Sequence, residues 1–336
     1  MKAFQIDQFG IDNLMLVERE VPTAGDEDVV VRFDAWSLNY RDLMVVEGSY
    51  NPRMRLPATP LSDAAGEIVA VGKNVSKWRV GQRVMPIFAQ RWLDGEADLE
   101  KVRSALGGGP AWDGVLREFA VFDQQGVVEV PRYLSPEEAA TLPCAAVTAW
   151  NALMVSGRLE RGETVLTLGT GGVSVFAVQI AKAVGAKVIA TSGSDEKLRK
   201  LKELGADEVI NYRERPDWDA AVLDLTDKRG VDHVIEVGGA GTLERSVNAA
   251  RIGGHIAMIG VLAGKGSFDP VRSFMKVQRL QGIFVGSRAM LADMLAFFGK
   301  HEIRPVIDRE FPFDDARAAL KYMRSGEHFG KIVLVR

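Results

Sequence analysis

The chain has 336 residues, 42 Lys and Arg against 45 Asp and Glu, and a net charge of −3. That length is enough for about two domains, and that charge excludes an electrostatic case for a nucleic-acid surface. No apolar run reaches the ~18 residues a membrane span needs, and MKAFQIDQFG at the start lacks an apolar signal core, so export and membrane partners are not expected. The single cysteine, Cys144, excludes an internal disulfide and a four-cysteine zinc site, and a reducing cytoplasm is the expected location. The four histidines, at 233, 255, 301 and 328, have no metal-like spacing.

In chain order, residues 1–124 are predicted as the first domain. They hold short β-like runs (VVVRFDAWSLN, AAGEIVAVG, GQRVMPIF, EFAVF) with Gly and Pro between them, the pattern of an antiparallel, barrel-like module. Residues 91–114 read as an inserted loop carrying Trp92, Trp112 and the run Gly107, Gly108, Gly109. A loop of that length is either a pocket wall or lid, or a solvated surface segment.

Residues 125–300 are predicted as the second domain. It opens on a helix start, with Ser135 as cap, then Pro136, then Glu137 and Glu138 in the first turn. The apolar runs TVLTLG, KVIATS, VDHVIEVGG, GGHIAMIG and RLQGIFVG then alternate with helical segments. Strands without polar alternation are buried on both faces, so a doubly wound parallel α/β sheet of the Rossmann kind is expected. The tail, 301–336, predicts a helix and a final strand.

TVLTL is followed by Gly169, Thr170, Gly171, Gly172 and Val173, and the next segment is helical. This is the strand–turn–helix setting of a dinucleotide fingerprint, with Gly169 for the tight turn and Gly171 and Gly172 for close approach to a pyrophosphate. Ser174 stands where a third glycine is usual; it is small enough for helix packing, and its hydroxyl is a candidate phosphate contact. About 20 residues on, where an NAD site puts an acidic residue, the chain has Ser192, Gly193 and Ser194, then Lys197. A carboxylate ~4 Å from a 2′-phosphate would cost about 4 kcal/mol at an effective dielectric of 20. Its absence, two hydroxyls and an ammonium favour NADP, with NAD not excluded. Tyr212 and Arg213 are candidates to flank the same corner.

Taken with SLNYRDLMVVEGSY, LSDAAGEIVAVGKNVSKWRVGQRV, LPCAAVTAWNAL, LGADEVINYRE, VDHVIEVGG and HFGKIVLV, the chain resembles the medium-chain dehydrogenase/reductase superfamily, in its zinc-free quinone oxidoreductase branch. The resemblance implies a GroES-like catalytic domain, a Rossmann domain, a tail that returns to the first domain, and an active site in the cleft between the domains. Against the Cys, His and Cys of the zinc-dependent members, this chain has Asn39, Ser62 and Cys144. One thiolate with an amide and a hydroxyl is not a zinc site, so no metal is expected. Cys144 reads as a small buried hydrophobe.

The resemblance also implies that Asn39 lies near the nicotinamide ribose and substrate oxygen, and that Thr148 touches the nicotinamide. It places Gly238, Gly239, Ile259, Gly260 and Val261 along the cofactor. Phe284 and Val285 border the nicotinamide, and Lys331 reaches the cofactor. Tyr40 and Tyr50 are candidate proton donors to the substrate, and Asp42 and Asp63 read as structural acceptors of backbone N–H groups. Tyr50, Trp92, Trp112, Phe284 and Arg288 are candidates for the pocket wall. Family members pair the last Rossmann strand across a twofold axis, which implies a homodimer.

The expected activity is hydride transfer from NADPH to a quinone or an α,β-unsaturated carbonyl, a small-molecule substrate. A zinc-type alcohol dehydrogenase and a non-enzymatic NADP-binding protein stand as alternatives.

Overall fold

A computed structural model describes residues 1–108, 112–260, 262 and 266–336. The chain forms two compact units, Met1–Val147 with Gly286–Arg336, and Thr148–Val285.

The first unit is built on the ten-residue strand Asp28–Ser37. It pairs antiparallel with Asp63–Val71, Phe119–Asp123 and the last strand, Lys331–Val335. The sheet continues through Arg83–Pro86 to Val127–Glu129 on one side and through Lys331–Val335 to Ile307–Pro312 on the other. Phe33, Trp36, Phe122 and Phe313 lie in its core, where Phe33 meets both Trp36 and Phe122 edge to face. A short helix, Tyr40–Val46, leaves the end of the central strand and is closed by a capping box between Asn39 and Asp42.

The second unit carries six parallel strands in the order Glu208–Asn211, Lys187–Ser192, Thr164–Leu168, Val231–Glu236, Ala250–Met258, Arg279–Gly282. Four of the predicted apolar runs coincide with strands; the fifth, RLQGIFVG, is a strand only over its largely exposed start, Arg279–Gly282, and Glu208–Asn211 is a sixth strand outside the predicted set. Val231–Glu236 is buried along its whole length, as a sheet covered on both faces requires. Strand order reverses between Thr164–Leu168 and Val231–Glu236. In an open α/β sheet this reversal opens a crevice at the carboxyl ends of the strands.

The units divide after residues 147 and 285, where the sequence reading divides the chain after 124 and 300. The reason is packing. Val127–Glu129 completes the first unit's sheet, and the Ser135-capped helix Pro136–Ala140 lies on its central strands. At the other border, Arg288 and Ala289 donate their backbone N–H groups to the carbonyls of Trp92 and Leu93 at 2.9 and 3.0 Å. These bonds tie the helix Arg288–His301 to the first unit.

The same bonds anchor the start of residues 91–114. Trp92 is buried, its indole N–H donates to Gly95 O at 2.9 Å, and Leu99–Arg103 forms a helix capped by Asp98. Residues 104–108 are buried as well, while 94–100 are exposed, so the described part of the segment is neither wholly packed nor wholly solvated. Gly109 lies outside the described residues.

Candidate active site

In the second unit the glycine turn has the geometry its sequence predicts. Gly169 has φ +70° and Gly171 caps the helix Gly172–Val184 in an extended conformation. A Cβ on either glycine would meet nothing within 4 Å, so the backbone there faces open space beside a helix N-terminus, a site that suits an anion. Thr170 is buried, and Gly172 and Val173 form the first turn. Ser174 does not face that space. Its buried hydroxyl donates to Leu168 O at 2.7 Å, which corrects the expectation that it touches a phosphate and explains why a residue larger than glycine is tolerated.

A cavity of about 290 Å³ opens beside this turn, lined in part by Gly169, Thr191, Tyr212, Trp218, Gly238 and Arg245. At its edge stands the corner that follows Lys187–Ser192. Ser192 Oγ accepts from Ser194 N at 3.3 Å, and Ser194 Oγ accepts from Lys197 N, capping the next helix. Each serine hydroxyl accepts a bond in this arrangement and retains its own proton to donate. A Cβ on Gly193 would lie 2.8 Å from the Tyr212 ring and 2.9 Å from Arg213 Nε. The chain therefore brings Tyr212 and Arg213 against Gly193.

The sequence reading missed Glu236. Its buried carboxylate accepts from Gly238 N at 2.8 Å, Gly239 N at 2.9 Å and Thr242 Oγ1 at 2.6 Å, and from Ser246 Oγ. That set fixes the Gly238–Gly239 loop at the sheet's carboxyl edge. Ile259 N donates to Glu236 O at 2.9 Å, and at Gly260 a Cβ would lie 2.1 Å from Val237 O. Val261 lies outside the described residues. Thr148 is buried. Phe284 is partly buried, and Val285 O accepts from Asn151 Nδ2 at 2.8 Å. Val285 holds φ +45°, a strained value for a β-branched side chain and of the kind that clusters at functional sites.

In the first unit a knot of charged side chains surrounds Asn39. Lys331, itself buried, donates from Nζ to Leu38 O and to Asn39 Oδ1, both at 2.6 Å. Asn39 N donates to Asp42 Oδ2 at 2.8 Å, Ser62 Oγ donates to Asp63 Oδ1 at 2.7 Å, and Cys144 N donates to Asp63 Oδ2 at 3.0 Å. Asp42 and Asp63 thus hold backbone N–H groups, as expected. Burial lifts the Asp42 carboxyl to about 6 against the pull of Arg41. Burial also raises Asp63 against Lys331, and lowers Lys331 against Asp63. Cys144 is partly exposed, not wholly buried as expected. Desolvation, with Asp63 beside it, pushes its thiol far above the ordinary range.

The remaining candidates of this unit differ in setting. Tyr40 opens the helix and is exposed, Tyr50 is also exposed, and Trp112 is packed against the core. Arg288 begins the helix Arg288–His301. Lys331, expected on the cofactor, is here bound to Asn39; only the fold could reveal that partner, because 291 residues separate the two in sequence. Among the described residues, no group of three or more His, Cys, Asp or Glu side chains is arranged to hold a metal ion.

Residues 25–132 match the alcohol dehydrogenase GroES-like domain, and residues 172–300 match the zinc-binding dehydrogenase family. A zinc-type alcohol dehydrogenase-like protein of Schizosaccharomyces pombe is 44% identical over 97% of this chain and 96% of its own. A quinone oxidoreductase of Mus musculus is 29% identical over 100% of this chain and 98% of its own. Among solved structures, a provisionally assigned alcohol dehydrogenase from Sinorhizobium meliloti superposes with a TM-score of 0.93 at 40% identity, covering 100% of this chain and 98% of that one. The glycine turn, the six-stranded parallel sheet and the GroES-like unit agree with these likenesses, and the chain belongs to the medium-chain dehydrogenase/reductase superfamily, as an oxidoreductase of the NAD(P)-binding fold.

Proposed function

We propose that the protein is a zinc-independent reductase that uses NADPH to reduce a quinone or an α,β-unsaturated carbonyl compound. The observation that carries this reading is the Lys331 knot. At the positions where zinc-dependent relatives keep their ligands, this chain has an amide bonded to a buried ammonium, a hydroxyl bonded to Asp63, and a thiol whose pKa is pushed up. Zinc needs deprotonated, strong donors, and an ammonium among them repels a dication, so this donor set does not fit the metal. Without a Lewis acid, an acceptor that is already electrophilic is the natural substrate.

The other half of the reading is the corner around Gly193. Ser192, Ser194, Tyr212 and Arg213 supply donors and a cation, with no carboxylate on Ser192's side chain to repel a 2′-phosphate. When bound, NADPH supplies the hydride, and the backbone at Gly169–Val173 would hold its pyrophosphate. Asn39, its amide oxygen taken by Lys331 and its buried side chain set against Asp63, holds this knot together.

Two measurements test the reading. Elemental analysis of gently purified protein should find less than about 0.1 zinc per chain, since a three-ligand site binds stoichiometrically. NADPH oxidation against a panel of quinones and enones should exceed background for at least one class and exceed the rate with NADH. Stoichiometric zinc, or background rates throughout, overturns it. The name of the fission-yeast relative favours a zinc alcohol dehydrogenase as the second reading, and the same zinc analysis separates the two.

We also propose a homodimer. The strand Arg279–Gly282 ends the parallel sheet with no further partner among the described residues. Beside it, Ile252, Phe274, Met275 and Val277 are each at least 66% exposed, and Gly253 N donates to Lys276 O at 2.7 Å, joining the two segments into one apolar patch. An open edge flanked by such a patch is normally covered.

A further inference from the structure

Arg41 is the charged side chain in the first unit whose bonding is half complete. Its Nη1 donates to Asp42 Oδ1 at 3.1 Å and to Leu106 O at 3.0 Å. The opposite edge of the guanidinium, Nε with Nη2, is buried and has no hydrogen-bond partner among the described residues. The side chain as a whole is only 11% exposed. Two aromatic rings, Tyr50 and Phe88, each have their centroid 5.0 Å from Arg41 Cζ, and the Tyr50 hydroxyl is a loose hydrogen-bond partner of the guanidinium that supports its charge without forming a full bond to Nε or Nη2. Nη2 packs against Gly108, where a Cβ would lie 2.1 Å away.

Leaving two donors of a cation buried and unpaired costs more than leaving neutral ones, so such an edge is kept for a partner. The Nε–Nη2 edge presents two parallel N–H bonds at the spacing of the two oxygens of a carboxylate. A setting against flat rings suits a planar group better than a tetrahedral one. Arg41 also lies close enough to Cys144 and Asp42 to share their field, which places it in the same knot as Asn39.

We infer that Arg41 is a specificity-determining residue that binds a free carboxylate on the substrate, so that the acceptor is an α,β-unsaturated carbonyl compound carrying an acid group apart from its reacting enone. This rests on the reductase reading. In the reaction the C=C bond takes a hydride from NADPH at its β-carbon and a proton from solvent at its α-carbon. NADPH is oxidised, the C=C bond is reduced, and the carboxylate is unchanged.

The test pairs 6-oxohept-4-enoate with its methyl ester, in which two methylenes insulate the acid from the enone. Wild-type protein should favour the acid in kcat/KM by about tenfold or more, the worth of one charge-assisted pair. Arg41→Lys keeps a cation beside Asp42 but loses the two-donor edge, and it should bring the acid-to-ester ratio to within about threefold of unity, mainly through the KM of the acid. Arg41→Met should abolish the preference, and thermal melts of both variants identify any that fail to fold. Equal handling of acid and ester by the wild type overturns the inference while leaving the reductase reading intact. If neither compound is reduced and the wider quinone and enone panel is also inert, the reductase reading fails instead. The inference then stands or falls on binding. Saturation-transfer NMR should show 6-oxohept-4-enoate bound by the wild type and released in Arg41→Lys, and equal signals, or none, overturn it.

Discussion

Gly169 and Gly171 stand two residues apart and answer to different constraints. Gly169 needs its φ of +70°, so Gly169→Ala should cost roughly 1 kcal/mol of stability. Gly171 has φ −73°, which any residue adopts, and open space where a Cβ would sit. Gly171→Ala should therefore cost only a few tenths of a kcal/mol, as the loss of an N-cap glycine does, and weaken NADPH by about tenfold or more, because on the proposed reading the methyl would occupy the path of the pyrophosphate. Calorimetry and a fluorescence titration of the two variants separate fold from function. Lys331→Met is a different kind of change. It removes the ammonium whose charge offsets the buried Asp63 and the donor to Leu38 O and Asn39 Oδ1, and uncompensated buried groups of this kind cost about 3 kcal/mol. Urea melts should show that loss near neutrality and a smaller one in acid, where Asp63 can take up a proton.

Two adjacent strands carry a buried histidine pair that the mechanism does not use. In register, His233 on Val231–Glu236 faces His255 on Ala250–Met258, with Nδ1 atoms 3.5 Å apart. His233 Nε2 meets Glu163 at 2.9 Å, and His255 Nε2 meets Ser156 Oγ at 3.1 Å. Burial, then the neighbouring His233 and Arg279, lowers His255 to about 4 from 6.5. A group that titrates at 6.5 unfolded and near 4 folded binds protons preferentially in the unfolded state. Its stabilising share is full above about 6.5 and is lost as the pH falls toward 4, on the order of 3 kcal/mol in all. Asp42, raised by burial, works in the opposite sense, since its protonation in acid relieves a buried charge. The measurement is therefore a difference. Urea melts of wild type and His255→Gln across that range should converge as the pH falls, and parallel curves would show that the pair does not titrate.

For the molecule as a whole, the proposed assembly rests on one face of the parallel-sheet unit. Light scattering should give twice the chain mass of 36.7 kDa, and Phe274→Lys with Met275→Lys should return it to one. Their side chains are 66% and 68% exposed in the single chain, so the double change should leave the monomer's fold intact, because exposed positions tolerate charge with little effect on stability.

The sequence by itself determined the class of fold and the form of the glycine turn. Unbroken apolar runs alternating with helical segments are the pattern of strands covered on both faces, and a glycine turn between strand and helix is a local pattern, complete within a few residues. Val231–Glu236 and the open backbone at Gly171 follow from such local rules. The borders of the two units, the packing of residues 91–114, and the knot around Asn39 were decided by the tertiary structure alone. Ser174 turns inward to Leu168, Lys331 reaches Asn39 across most of the chain, and Arg41 keeps one edge unpaired. Hydrogen-bond choice at a buried polar group depends on which distant residues the fold delivers to it, and a linear pattern of types carries no record of that delivery.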